Sequence, residues 1–479
     1  MKMHDVVILG SGPAGMSAAI TAAEYGLAPL VVDEQPAPGG QVYRAIQGTP
    51  LRNRTLLGEA YWQGEALVDR LRDTRIDYRP ATRVWQLTRQ REIGLLRGER
   101  AELVQAHQVI LATGAMERPF PIPGWTLPGV MTAGSGQILL KSSGVVPQAP
   151  LVIAGTGPLL LLLAVQYLRV GVPIAALLDT TPPGRYRQGL PHLPGALRNP
   201  RTLAKGLRWL RELRHAGVRH IKQVSSLRAE GDERLERVAW QCHGQDGWKT
   251  LEASTLLLHQ GVIPHTQITQ ALGCEHEWDA RQLAWRPRLD EWLRTDIEGI
   301  AVAGDGGGIV GAQAAELQGR LAGLGAAHAL GAIPAGQAAK EAHRQRSRLA
   351  RETAIRPFLD TLYRPAPQWR LPADDTLVCR CEEVTAGEIR RMAELGCRGP
   401  NQTKAFTRCG MGPCQGRLCG LTVSELLADA NGQSIEETGY YHLRPPFTPI
   451  TLGQLAAASQ ASKALSAGPG ASPPSPEPH

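Results

Sequence analysis

The chain has 479 residues, three to four times a typical domain, with 43% hydrophobic and 20% charged residues, 53 Gly and 36 Pro. That is globular usage rich in turn formers, so a minimal binding module and a wholly disordered chain are both excluded. The net charge of +8 comes from 44 Arg against 8 Lys spread along the chain; such a balance is weak evidence for nucleic acid, and no nucleic-acid partner is expected.

The amino terminus, MKMHDVVILG, runs from a short apolar stretch straight into a glycine turn and lacks the h-region and cleavage site of a signal peptide. The longest apolar run, Leu159 to Val165, is far short of the ~20 residues a membrane span needs. A cytoplasmic protein without a membrane span is expected, with peripheral contact at the inner membrane left open.

The first 35 residues read strand (DVVILG), glycine turn (GSGPAG), helix (MSAAITAAEYG) and strand (LAPLVVDE), which is one βαβ unit. In the turn, Gly10 permits the tight bend and Gly12 lets the backbone approach a pyrophosphate. Pro13 and Ala14 open the helix, and Gly15 lets it pack on the strand. The helix amino terminus then faces the diphosphate. A strand-end carboxylate should take the ribose hydroxyls; Asp33, directly after the apolar run, is the first choice and Glu34 the second.

Val109 to Ala115 (VILATGA) is a further apolar strand with a small-residue turn, and the proline-rich RPFPIPGWTLPG after it marks a domain crossing. A second βαβ unit begins at Pro150, about 145 residues after the first, with Gly155, Gly157 and then Leu160 where a third glycine would stand. Its strand-end carboxylate is Asp179, with no arginine directly after it, so any nucleotide there would carry a plain adenine ribose. Between Arg185 and Lys222 ten Arg and Lys face one acid, Glu212, with Leu203, Leu207, Leu210 and Leu213 at helical spacing. An amphipathic helix with a cationic outer face is expected. GIAVAGD (299–305) and the glycine-rich segment after it return the chain to the first domain.

Residues 336–372 suit a connector, with a helix expected from Gln337 to Leu362. From 456 the composition collapses to Ala, Ser, Gly and Pro, and a disordered tail over 456–479 is expected. Six of the eight cysteines fall between Cys379 and Cys419, which is clustering for a cofactor rather than a disulfide framework. Cys379-x-Cys381 fits zinc ribbons poorly, whereas two pairs of thiolates suit the two irons of a [2Fe-2S] cluster. Thr385 and Glu388 form a capping-box pattern just after the first pair, and a second helix should follow GMGPCQG. Both helix amino termini would favour an anionic cluster. Cys409 and Cys419 stand equally far from Cys414, so spacing leaves the fourth ligand open.

GSGPAG, Gly39-Gly40-Gln41, Ala112-Thr113-Gly114 and Gly304-Asp305, in this order, resemble the thioredoxin reductase and glutathione reductase class of flavoproteins. The resemblance implies FAD in the first domain, with Gly39, Gly40 and Gln41 beside the flavin end and Asp305 at the ribityl or pyrophosphate region. No C-x-x-C occurs in either nucleotide domain, where Cys242 and Cys274 stand far apart, so a redox-active disulfide is excluded. The cysteine segment resembles the bacterioferritin-associated-ferredoxin (BFD) type of [2Fe-2S] domain. Mapped on that pattern, Cys379, Cys381, Cys414 and Cys419 are the ligands, with Cys409 the alternative.

Over about residues 4–456, segments such as ATGAMERPFPIPGWTLPGVMTAGSGQ, HQGVIPHTQ, TRCGMGPCQGRLCG and GYYHLRPPFTPITLGQLA resemble the A subunits of opine oxidases. Related complexes are D-hydroxyproline and dye-linked proline dehydrogenases and hydrogen cyanide synthase. The resemblance implies a partner beta subunit with an amino-acid-oxidase-like fold that oxidises a secondary amine or amino acid. This chain would relay electrons through FAD and the cluster to an external acceptor such as a quinone, with FMN at a subunit interface. The alternative is a self-contained NAD(P)H-dependent flavoprotein reductase that uses the second fold; a non-enzymatic iron or redox sensor is a third reading. His259 and His265 flank HQGVIP and receive no role.

The expected architecture is α/β, with two Rossmann-like domains and a small helical BFD-like [2Fe-2S] domain. The boundaries are 1–125 and 258–335 for a discontinuous FAD domain, 126–257 for the second fold, 336–372 for the connector and 373–430 for the cysteine domain. A segment over 431–455 packs back, and the tail covers 456–479.

Overall fold

Val6–Leu9 and Pro29–Val32 are buried at every position, as strands covered on both faces must be. In the computed structural model, which describes residues 2–72 and 75–458, they lie in a seven-stranded sheet. Asp77–Arg79, Pro29–Val32, Lys2–Leu9 and Arg100–Leu111 are parallel neighbours, and Ile300–Val302 pairs with Arg100–Leu111 in the same sense. The hairpin Thr82–Leu87 and Glu92–Arg97 extends it antiparallel.

Helix Pro13–Glu24 follows the first strand, and helix Ala312–Ala329 lies directly against it. Small residues allow the approach: a Cβ at Gly319 would fall 2.1 Å from the Ala14 carbonyl oxygen, and one at Gly323 2.5 Å from that of Ala18. The late segment packs on the first fold, with Ile300–Val302 in its sheet and Ala312–Ala329 on its first helix.

The second sheet is parallel throughout, in the order His220–Ile221, Ile174–Asp179, Leu151–Thr156, Thr255–Gln260, Val130–Thr132. An antiparallel sheet of Val224–Glu230, Arg237–Cys242 and Lys249–Glu252 covers it, sharing a core with Phe120, Ile122, Val152, Leu178 and Trp240. The two crossings, Ala115–Glu117 and Val262–Pro264, pair with each other as an antiparallel ribbon.

Two expectations change in detail. In helix Pro200–His215 the buried positions are Trp209 and Leu213, whereas Leu207 is 57% exposed. Leu213 and Leu210 lie on the core as their spacing implies, while Leu207 turns outward and Trp209 fills the inner face. The connector is two helices, Ala335–Thr353 and Arg356–Leu362, since Pro357 in the first turn of the second cannot continue the first.

The C-terminal unit is a short hairpin, Leu377–Cys379 with Val384–Thr385, followed by helices Ala386–Glu394, Pro400–Thr407, Gly420–Asn431 and Ile435–Thr438. The Thr385–Glu388 capping box is present, with both reciprocal hydrogen bonds. The chain then returns to the first fold, where Phe447 is buried with Leu87 and Ile93 and its N–H donates to the Trp85 carbonyl at 2.8 Å. Of the tail expected to be disordered, 456–458 are helical, with Ala458 buried against Trp85 and Leu96; the rest lies outside the described residues. No helix among the described residues is long and apolar enough to cross a membrane.

Candidate redox site

The first glycine turn is built by close backbone approach. A Cβ at Gly10, φ +105°, would lie 2.5 Å from the Ala112 carbonyl oxygen, and one at Gly15 would lie 1.8 Å from that of Gly10. A Cβ at Gly12 would make only an ordinary contact, 3.8 Å from Gly40 Cα, so that face of the turn is bounded by glycine backbone rather than by a side chain. Gly12 also offers no side-chain cap to helix Pro13–Glu24, leaving its first N–H groups for an anion.

The other expected segments converge on this turn. A Cβ at Gly40 would sit 2.8 Å from Gly12 Cα, and one at Gly304 2.9 Å from Ala14 Cβ. Thr113 donates to the His265 carbonyl at 3.3 Å, which ties Ala112-Thr113-Gly114 to the return crossing. Asp305 Oδ1 accepts the N–H groups of Val310 and Gly311 at 2.8 and 3.0 Å and so shapes the loop before helix Ala312–Ala329.

The two strand-end carboxylates differ. Asp33 Oδ2 accepts from the backbone N–H and hydroxyl of Ser11 at 2.6 and 2.7 Å, and Oδ1 accepts from Gln35 N–H at 2.8 Å. It is spent on bracing the turn. Glu34 is exposed, with only the neighbouring Gln35 amide at 3.3 Å.

Sequence reading missed Lys141. Its ammonium is buried under the loop after Gly40 and donates to the carbonyls of Gln41 and Val42 at 3.1 and 3.0 Å and to Gln137 Oε1 at 2.9 Å. Burial lowers its pKa to about 7. Nothing in the local sequence marks it.

In the second fold, His259 pairs with Gly155 in the sheet, the position that Ala112 holds beside Gly10 in the first. Its ring faces the turn, 3.5 Å from where a Cβ of Gly157 would stand, and its Nδ1 is 2.6 Å from Glu117 Oε1. Leu160 is buried, and Asp179 accepts from Thr181 N–H at 2.9 Å with His220 Nε2 3.4 Å away.

Three cysteines meet in the C-terminal unit, and two more pair beside them. The Sγ atoms of Cys379, Cys409 and Cys419 lie within 4.8 Å of one another, all buried, while exposed Cys381 adjoins Cys414. Gly410 and Gly416, both at positive φ and pressed on Tyr441, fold the intervening loop tightly enough to bring Cys409 inside. Hydrogen bonds from Cys409 first, then from Cys419, hold the Cys379 thiol far below its ordinary range, and the same bonding pushes Cys409 up to about 12. Such a soft sulfur donor set fits an iron–sulfur cluster or another thiophilic metal. The remaining cysteines stand apart; burial pushes the Cys274 thiol up to about 11.

The two regions touch. Gln267, just beyond the return crossing, donates to Gln415 Oε1 at 3.2 Å. A pocket lies between them, with Met116, Ile263 and His265 on one wall and Arg417, Leu421 and Tyr440 on the other. Burial, then the Arg417 charge, lowers the His265 pKa to about 4.

The family described as pyridine nucleotide-disulphide oxidoreductase matches residues 4–319, and the sarcosine oxidase A3 domain matches residues 373–459, the cysteine unit together with its returning segment. The opine oxidase A subunit of Rhizobium meliloti is 44% identical over 97% of this chain and 90% of its own length. The HcnB subunit of hydrogen cyanide synthase from Pseudomonas aeruginosa is 36% identical over 93% of this chain and 96% of its own. L-proline dehydrogenase from P. horikoshii shares the fold, with a TM-score of 0.69 and 20% identity over 95% of this chain and 79% of that one. The chain belongs to the pyridine nucleotide-disulphide oxidoreductase family and, within it, to the group of the opine oxidase A subunits, and is a flavin-dependent oxidoreductase.

Proposed function

We propose that this chain is the electron-transfer subunit of a heteromeric dehydrogenase or oxidase whose partner, a beta subunit of amino-acid-oxidase type, oxidises a secondary amine or amino acid of opine, D-hydroxyproline or proline type. The observation that carries the reading is the direct hydrogen bond between the segment flanking the first fold's ligand edge and the five-cysteine loop.

In this reading Gly10, Gly12, Pro13, Ala14 and Gly15 hold the diphosphate of FAD, and Glu34 takes the ribose while Asp33 braces the turn. Gly39, Gly40 and Gln41, with Ala112, Thr113, Gly114, Gly304 and Asp305, enclose the rest. Cys379, Cys381 and Cys414 hold a [2Fe-2S] cluster together with Cys419 or Cys409, both of which reach Cys379. A flavin supplies two-electron chemistry and such a cluster one-electron chemistry, so the pair converts one into the other. FMN would lie at the partner interface, and the external acceptor would be a quinone or similar carrier.

Gly155, Gly157 and Asp179 keep the outline of a second nucleotide site. The His259 ring beside Gly157 and Leu160 at the third position support electrons arriving from the partner rather than from NAD(P)H.

Anaerobic titration of the purified chain tests this. NADH and NADPH should leave absorbance near 450 nm unchanged, while dithionite bleaches both centres. Cys381→Ala should remove iron and turnover with external acceptors and leave FAD bound. Bleaching by stoichiometric NADH, or undiminished turnover in Cys381→Ala, would overturn the relay.

A further inference from the structure

Three arginines in or beside the C-terminal unit are paired with acids. Arg370 meets Glu425, Arg390 meets Asp374 and Arg408 meets Glu382. Arg417 differs. It donates to two carbonyls, those of Cys414 at 3.3 Å and of Phe447, and takes no carboxylate partner among the described residues.

That pattern locates it. The same guanidinium holds the carbonyl of Cys414, one of the five cysteines, and lines the pocket between them and the return crossing at His265. Across the pocket stands His265, whose Nδ1 has no hydrogen-bond partner. Its lowered pKa leaves it neutral at pH 7, so it neither screens nor competes with the arginine. A partly buried cation without an acid partner is costly unless something anionic faces it.

On the reading given above, which this deepens, we propose that Arg417 is the positioning counter-charge between the two redox centres. Its guanidinium favours the extra negative charge that the cysteine-held centre gains on accepting one electron from the flavin side. It therefore raises that centre's reduction potential and sets the direction of electron flow. The Gln267–Gln415 hydrogen bond holds the arginine's loop in register with the flavin side.

The test is a redox titration of the full-length holoprotein, followed by visible absorbance and electron paramagnetic resonance, with iron, sulfide and flavin contents measured on each sample. Arg417→Gln should lower the equilibrium constant for one-electron reduction of the cysteine-held centre about tenfold, which is about 59 mV. Its flavin and iron contents should stay at wild-type levels. Arg417→Lys, which keeps the charge, should recover most of the shift. An iron-loaded Arg417→Gln protein with an unmoved midpoint would overturn the inference alone. If Arg417→Gln fails to retain iron, Arg417→Lys decides: a fully loaded Lys variant shifted by the whole tenfold would refute a role for the charge. A wild-type chain free of iron would overturn the underlying reading and this inference with it.

Discussion

The chain contains two copies of one idea, and they have diverged at four matched positions. The first fold has Gly15, Ala112, a Gly12 faced by the backbone of Gly40 and an acid, Asp33, that locks its turn with three hydrogen bonds. The second has Leu160, His259, a Gly157 covered by the histidine ring, and Asp179 held by Thr181 and His220. Strand order and helix placement survive in both, so the architecture tolerates loss of the ligand-approach residues. The difference lies beside the turn, where Leu160 and His259 stand in place of Gly15 and Ala112 and add buried side chains.

The largest effect should come from converting the first fold toward the second. Gly15→Val places its Cβ within 1.8 Å of the Gly10 carbonyl oxygen, so strand and helix must separate. Flavin content, read from the visible spectrum, should fall to near zero. Retention of full flavin would show that close packing at this position is not what holds the ligand.

The reverse change is a test of stability alone. Leu160 is buried, so Leu160→Ala should destabilise the second fold by about 2–5 kcal/mol by denaturant unfolding, with flavin content unchanged. A loss of flavin would mean that the two folds are coupled more tightly than their separate cores imply.

The smallest contrast compares the two strand-end acids. Asp33→Asn breaks a buried three-donor arrangement and should cost about 1–3 kcal/mol, whereas Asp179→Asn, with one short backbone bond, should cost less than about 1 kcal/mol. Equal costs would refute the assignment of Asp33 as the brace.

Sequence alone carried much of this. Glycine spacing, strand-end acids and the Thr385–Glu388 cap are local patterns, and local patterns have local causes. The cysteine cluster was visible as composition, but that Cys409 and Cys419 both reach Cys379 was not, because the turn at Gly410 and Gly416 is folded against Tyr441, distant in sequence. Lys141 and Arg417 were missed for the same reason. Each is defined by carbonyls on other elements, and a lysine or arginine that bonds to carbonyls looks in sequence like any surface cation. Adjacency to the apolar run put Asp33 before Glu34 as the ribose acid, and only the three-dimensional turn shows that Ser11 and Gln35 already bond to Asp33.

The discontinuity of the first fold bears on how the protein is made. Helix Pro13–Glu24 leaves the ribosome almost 300 residues before its partner Ala312–Ala329, roughly 15 to 60 s at about 5–20 residues per second. Through that interval its small-residue face, built to receive Gly319 and Gly323, stands uncovered. The inserted second fold, whose strands all lie within residues 130–260, is complete before that partner helix is made. Enclosure of anything at the first glycine turn is therefore among the last events of synthesis, and the nascent chain depends on a finished insert to bring its two halves within reach.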